Sequence, residues 1–161
     1  MENEQRYVYA TFLWRLLALI IDQLILLIPV MIVALTAGVM IGIFAPNFDE
    51  TAIEAGGNVI GILASWLYYA IMESSGKQAT YGKLICGLKV TDLNGERISF
   101  MRATGRHFAK IISGVILLIG YIMVLFTERK QGLHDMMAGC LVLKRAKSGR
   151  HAQFNEAQPG L

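Results

Sequence analysis

The chain has 161 residues, 55% of them hydrophobic, with a mean hydropathy of +0.49 and a formal net charge of +3. That length allows one domain, and only 17% of residues are charged, against about 25% in ordinary soluble chains. The runs Leu24–Phe44 and Ile111–Phe126 carry no charge at all, which excludes a soluble enzyme whose amphipathic helices each present a charged face and points to an all-α membrane protein of three hydrophobic segments.

The N-terminus, Met1-Glu2-Asn3-Glu4-Gln5-Arg6, lacks a basic n-region, and the apolar stretch after it far exceeds the roughly 15 residues of a signal-peptide core. The first span is therefore expected to be retained as an anchor, from near Trp14, an interfacial aromatic, to near Phe44. About 20 residues cross ~30 Å of hydrocarbon. The surplus places its first two turns at the interface or in a protein-lined groove, and Pro29 can kink it. The loop Ala45–Asn58 holds Asp49, Glu50 and Glu54 but no Lys or Arg.

A second span is expected over about Ala55–Met72, with Trp66, Tyr68 and Tyr69. Its small residues Gly57, Gly61 and Ser65 recur every four positions, as do Ala34, Gly38 and Gly42 in the first span. That spacing predicts close packing of the two faces in lipid.

Residues 73–110 carry seven basic side chains (Lys77, Lys83, Lys89, Arg97, Arg102, Arg106, Lys110) against three acidic ones. The excess of positive charge assigns this stretch to the cytoplasm, the acidic loop to the outside and the N-terminus to the inside. Within it, Leu88-Lys89-Val90-Thr91 alternates, Asp92-Leu93-Asn94-Gly95 is turn chemistry, and Glu96–Ser99 is expected to return as the second strand of a small cytoplasmic β-hairpin. Ser99 reads as the N-cap of a helix on which Arg102, Arg106 and Lys110 form a one-sided basic stripe. A stripe of this kind lies against anionic headgroups; with apolar spans on either side, nucleic acid is not the expected partner.

The third segment, Ile111–Phe126, would reach only about 24 Å at ~1.5 Å per residue, short of a comfortable span. Two arrangements stay open. It crosses once, or residues 103–127 form a helical hairpin bent near Gly114 or Gly120. The hairpin returns Arg129, Lys130, Lys144, Arg145, Lys147 and Arg150 to the cytoplasm, and the charge count favours it. It would also let Cys140–Lys144, a β-like run, pair with Leu88–Thr91. The domain is expected over residues 1–146, followed by a polar, disordered tail at 147–161. Cys86 and Cys140 have no metal-ligand or CxxC spacing and read as small buried hydrophobes.

Three ionisable positions stand out. Arg15 and Asp22 are seven residues apart, so they share a helical face about 10 Å apart along the axis, and Asp135 follows His134 in a short amphipathic element, Gln131–Gly139. A carboxylate at bilayer depth is costly unless paired. Either Arg15 snorkels while Asp22 caps or pairs near the interface, or Asp22 handles a cation or proton.

Trp14–Asp22, then Tyr81–Asp92 with Gly95, Ser99-Phe100, Arg102-Ala103 and Arg106, then Gln131–Gly139 resemble the RDD family of multi-pass membrane proteins over about residues 12–145. The family's name-giving arginine and two aspartates map onto Arg15, Asp22 and Asp135; Cys140 departs from it where a threonine is expected. The resemblance implies a bacterial cell-membrane protein without cofactor or metal. Some members are described as monovalent cation/proton antiporters, others as accessory membrane proteins. In the first reading Asp22 is the coupling carboxylate of a homo-oligomer. In the second the motif residues fasten the cytoplasmic parts to the first helix, with Arg15 and Asp135 as an ion pair. The second is favoured because the motif positions sit near one membrane face, and no triad, metal cluster or phosphate loop argues for an enzyme.

Overall fold

The structure is a computed structural model that describes residues 7–45, 47, 49–115 and 122–146. After a short strand β1 (Tyr7–Tyr9), helix α1 runs unbroken over Phe12–Phe44. Pro29 lies inside it without ending it. Its second half exposes nearly every apolar side chain, Ile28 at 64% and Leu35 at 65% among them, a surface that suits hydrocarbon and not water. Its first turns behave differently: Ala18 and Asp22 are buried.

Helix α2 spans Glu50–Ser74, and α1 and α2 are the two described helices long and apolar enough to cross a membrane. It begins earlier than the apolar run suggested because Asp49 caps it, accepting from Thr51 N–H at 3.0 Å and Thr51 Oγ1–H at 2.7 Å, with Glu50 facing the positive end of the helix dipole. The acidic loop shrinks accordingly.

The small-residue faces do not meet. No atom lies within 4 Å of where a Cβ would stand on Gly38, Gly42, Gly57 or Gly61, so the close packing of Ala34, Gly38 and Gly42 on Gly57, Gly61 and Ser65 is not found. Gly57, Gly61 and Ser65 instead line a groove with Val30 and His107. Helix α2 packs on the amphipathic helix α4 (Phe100–Val115). Trp66 there meets Phe100 and Phe108 at ring-centroid distances of 6.2 and 6.0 Å and donates its indole N–H to Thr104 Oγ1 at 3.2 Å.

Between α2 and α4 come a short helix α3 (Tyr81–Ile85) and strand β2 (Leu88–Asp92); after α4 come α5 (Leu133–Met137) and β3 (Cys140–Arg145). The strands form one antiparallel sheet in the order β1-β3-β2, with Val8 opposite Lys144 and Val90 opposite Val142. The hairpin expected from Glu96–Ser99 is corrected: those residues are not a strand. Asp92 consumes the turn itself, its Oδ1 accepting from Asn94 and Glu96 N–H at 2.9 and 2.8 Å, and β2 pairs with the apolar run Cys140–Leu143, which is buried throughout. Ser99 does cap α4, accepting from Arg102 N–H at 3.2 Å.

The third hydrophobic segment is seen only at its ends, in the last turn of α4 and a single 3-10 turn at Met123–Leu125. Residues 116–121, where a single crossing and a hairpin would differ, lie outside the described residues, as does the tail at 147–161.

Candidate functional site

Where α1, α2 and α3 meet, the Asp22 carboxylate receives three donors. Thr80 Oγ1–H donates to Oδ2 at 2.6 Å, and Tyr68 O–H and Gly82 N–H donate to Oδ1 at 2.8 and 2.7 Å. Asp22 thus caps the first turn of α3 from the side, and a buried carboxylate with both oxygens hydrogen-bonded is tolerable where a bare one is not. The approach requires glycine. A Cβ on Gly82 would collide with the Ala18 carbonyl and stand 2.8 Å from Asp22 Cγ.

Arg15 and Asp135 sit in a second, separate constellation. Arg15 Nη1 pairs with Asp135 Oδ2, while its Nε–H donates to the Ala10 carbonyl at 3.2 Å. Arg106 Nε–H donates to the other Asp135 oxygen at 2.8 Å, and Arg106 Nη1–H reaches Glu73 Oε2 at 2.6 Å. Glu73 also takes Lys83 through Oε1, with Lys110 at 3.6 Å. The two carboxylates are closed off from solvent, Asp135 at 0% and Glu73 at 1% exposure. One connected network therefore ties α1, α2, α3, α4 and α5 together.

Its electrostatics follow from burial and neighbours. Burial opposes ionisation of Asp135, but Arg106 and Arg15 outweigh it and hold the carboxyl well below its usual range. Burial acts against the Arg106 charge too, and Glu73 and Asp135 hold its guanidinium above its ordinary value. Desolvation pulls the Lys83 ammonium down to about 7 against the opposing Glu73 charge, and lowers Lys110 as well. His134 is pushed down to about 3, burial again being the largest cause, and so is neutral.

The structure thus brings Arg15 and Asp135 together, while Asp22 is hydrogen-bonded to Tyr68, Thr80 and Gly82 instead. It also corrects the basic stripe. Only Arg102 is substantially exposed, 3.7 Å from Asp92; Arg106 and Lys110 turn inward, because buried Glu73 and Asp135 demand counter-charges. Sequence reasoning passed over Glu73, Lys83, Tyr68 and Thr80. A carboxylate closing an apolar span was a legible signal for Glu73. Among the described residues no group of acidic, His and Cys side chains is arranged to hold a metal.

The model of the RDD family matches residues 9–139. Two proteins of Bacillus subtilis (strain 168) are similar to the chain. One, named "Uncharacterized protein YxaI", is 49% identical over 79 residues, covering 49% of this chain and 52% of that protein. The other, named "Uncharacterized membrane protein YteJ", is 33% identical over 92 residues, covering 53% of this chain and 52% of that protein. The chain spans about half the length of these relatives. No solved structure matches it. With its motif residues in three separate places along the fold and most of its length matched, the chain belongs to the RDD family.

Proposed function

We propose that this RDD protein is a non-transporting, multi-pass module of the cell membrane, in which the family charges fasten an extramembrane cap to the first helix. The reading assigns it no reaction and no cofactor. The observation that carries it is that both oxygens of Asp22 are already engaged. Three donors occupy a carboxylate that a transporter would need free for a cation or proton. Arg15 and Asp135 are likewise spent on each other and on Arg106.

The deciding experiment measures cation/proton exchange in proteoliposomes of the purified full-length protein, for wild type and Asp22→Asn. The fastening role expects no protein-dependent exchange, together with lower accumulation and thermal stability of the variant. Exchange by the wild type that vanishes in a variant of normal stability would overturn it in favour of a cation/proton antiporter.

A further inference from the structure

Helix α1 is longer than a crossing needs. Its charge-free part, Leu24–Phe44, reaches about 30 Å at ~1.5 Å per residue, which is the thickness of the hydrocarbon layer. The turns before it therefore stand on the headgroup side, with Asp22 about 3 Å and Ala18 about 9 Å from the boundary. Helix α3 is fixed at that depth, because Gly82 donates its N–H to Asp22 and leaves no room for a Cβ against the Ala18 carbonyl. Its five residues divide into two sides. Gly82 and Lys83 are buried, whereas Tyr81, Leu84 and Ile85, spaced i, i+3 and i+4 on one helical side, are exposed, Ile85 at 68%. Leu16, Leu17 and Ile20 of α1 are exposed in the same turns, so both helices present apolar surface at one depth. Lys77, also exposed, holds its ammonium 5.5 Å from the Tyr81 ring centroid, the pairing of a snorkelling cation with an interfacial aromatic.

We propose that the side of α3 formed by Tyr81, Leu84 and Ile85 is inserted into the near leaflet, at the boundary between headgroups and acyl chains, so that its partner is the lipid layer itself. Water would leave three large apolar side chains uncovered. A helix lying in the interface buries its apolar side about 5–10 Å into that boundary, the depth at which α1 holds α3. Lys77 then lies among the headgroups beside Tyr81. The basic stripe expected to meet the leaflet has turned inward, and α3 takes its place. The inference shares with the proposed function the crossing of the bilayer by α1 and nothing else, because the Arg15–Asp135 and Arg106–Glu73 pairs close the fold whether α3 meets lipid or water.

The test uses the full-length protein in vesicles of phosphatidylcholine and phosphatidylglycerol, with a nitroxide on a single introduced cysteine, the native thiols being buried. Ile85→Cys reports on α3, Leu35→Cys on the exposed middle of α1, and Asn94→Cys on an exposed polar turn. Collision with oxygen, which concentrates in hydrocarbon, is compared with collision with a water-soluble nickel chelate. The oxygen-to-nickel ratio at Ile85 is expected to lie severalfold above that at Asn94 and below that at Leu35. A ratio at Ile85 equal to that at Asn94, with Leu35 lipid-like, sets α3 in water and overturns this inference alone. Exclusion of both reagents from Ile85 means that protein covers it, a second copy or another chain, and overturns it too. A water-like Leu35 overturns the crossing of α1, and with it both this inference and the proposed function.

Discussion

At Asp135 the chain concentrates opposite charges that have no cheap individual place. The carboxylate sits between two guanidiniums, and replacing it by asparagine leaves Arg15 and Arg106 sharing one buried anion, Glu73, which only Arg106 reaches. Asp135→Asn is expected to cost about 3–5 kcal/mol, read as a loss of melting temperature in detergent. The same region sets an acid limit. Asp135 has a depressed folded value, so its stabilisation is present above its ordinary value of 3.8 and is lost as pH falls through the lower one. His134 is also depressed, from 6.5 to about 3, and an imidazole that resists protonation when folded loses stability as pH drops across that window. Melting temperature is expected to fall between pH 6.5 and 3, with His134→Gln flattening the upper part of the fall, and to rise above pH 7, where the unfolded chain keeps the proton that folded Lys83 has lost. An unchanged profile in that variant would refute the assignment.

Glycines offer a graded test at the same scale. Gly82→Ala forces a methyl into the Ala18 carbonyl and the Asp22 nest; overpacking of this kind costs about 1–3 kcal/mol. Gly105, inside α4, has nothing within 4 Å of its Cβ position, and alanine there should gain about 0.5–1 kcal/mol from helix propensity. Opposite signs from one substitution type would separate close approach from a general intolerance of change, and melting temperatures of the two variants provide the check.

Among the elements, the sheet is held by β3, whose first four residues are buried and which pairs with β1 on one side and β2 on the other. β1 had no signal of its own, since three residues ahead of a long apolar helix show no periodicity. The two long helices were legible, because length and absence of charge are properties of the segment itself. Partner choice was legible in part. The pairing of Cys140–Lys144 with Leu88–Thr91, expected if the third segment turns back, is found, but the nearer candidate, Glu96–Ser99, looked equally able and is not a strand. The basic stripe failed for a related reason. Spacing placed Arg102, Arg106 and Lys110 on one face, but only the fold shows that Glu73 of α2 and Asp135 of α5 lie opposite it. The observed register gives a direct check: cysteines at Val8 and Lys144 occupy facing positions, within the usual ~4.4–6.8 Å Cα reach of a disulfide. Val8→Cys/Lys144→Cys is expected to cross-link on mild oxidation. The native thiols should stay apart and unreactive, for Cys140 is buried, with burial lifting its thiol to about 11.

Over the whole molecule, the sheet constrains the topology more strongly than charge counting does. Residues 7–9, 88–92 and 140–145 belong to one sheet, so the segments before α1, after α2 and after α5 lie together at one end. If α1 and α2 each cross the bilayer, they cross antiparallel, the connection near Asn47 stands alone on the far side, and any excursion between α4 and α5 must return to the side it left. The seven-to-three basic excess over residues 73–110 then makes the cytoplasm the expected side of the shared end. Reporter fusions read this directly. Green fluorescent protein is expected to fluoresce when joined before Tyr7 or after Ala146, and alkaline phosphatase to be active only when inserted near Asn47. Phosphatase activity after Ala146 with fluorescence before Tyr7 would place the two ends of the β1–β3 pair on opposite faces of the membrane. That outcome is incompatible with the sheet, and with the fastening role built on it.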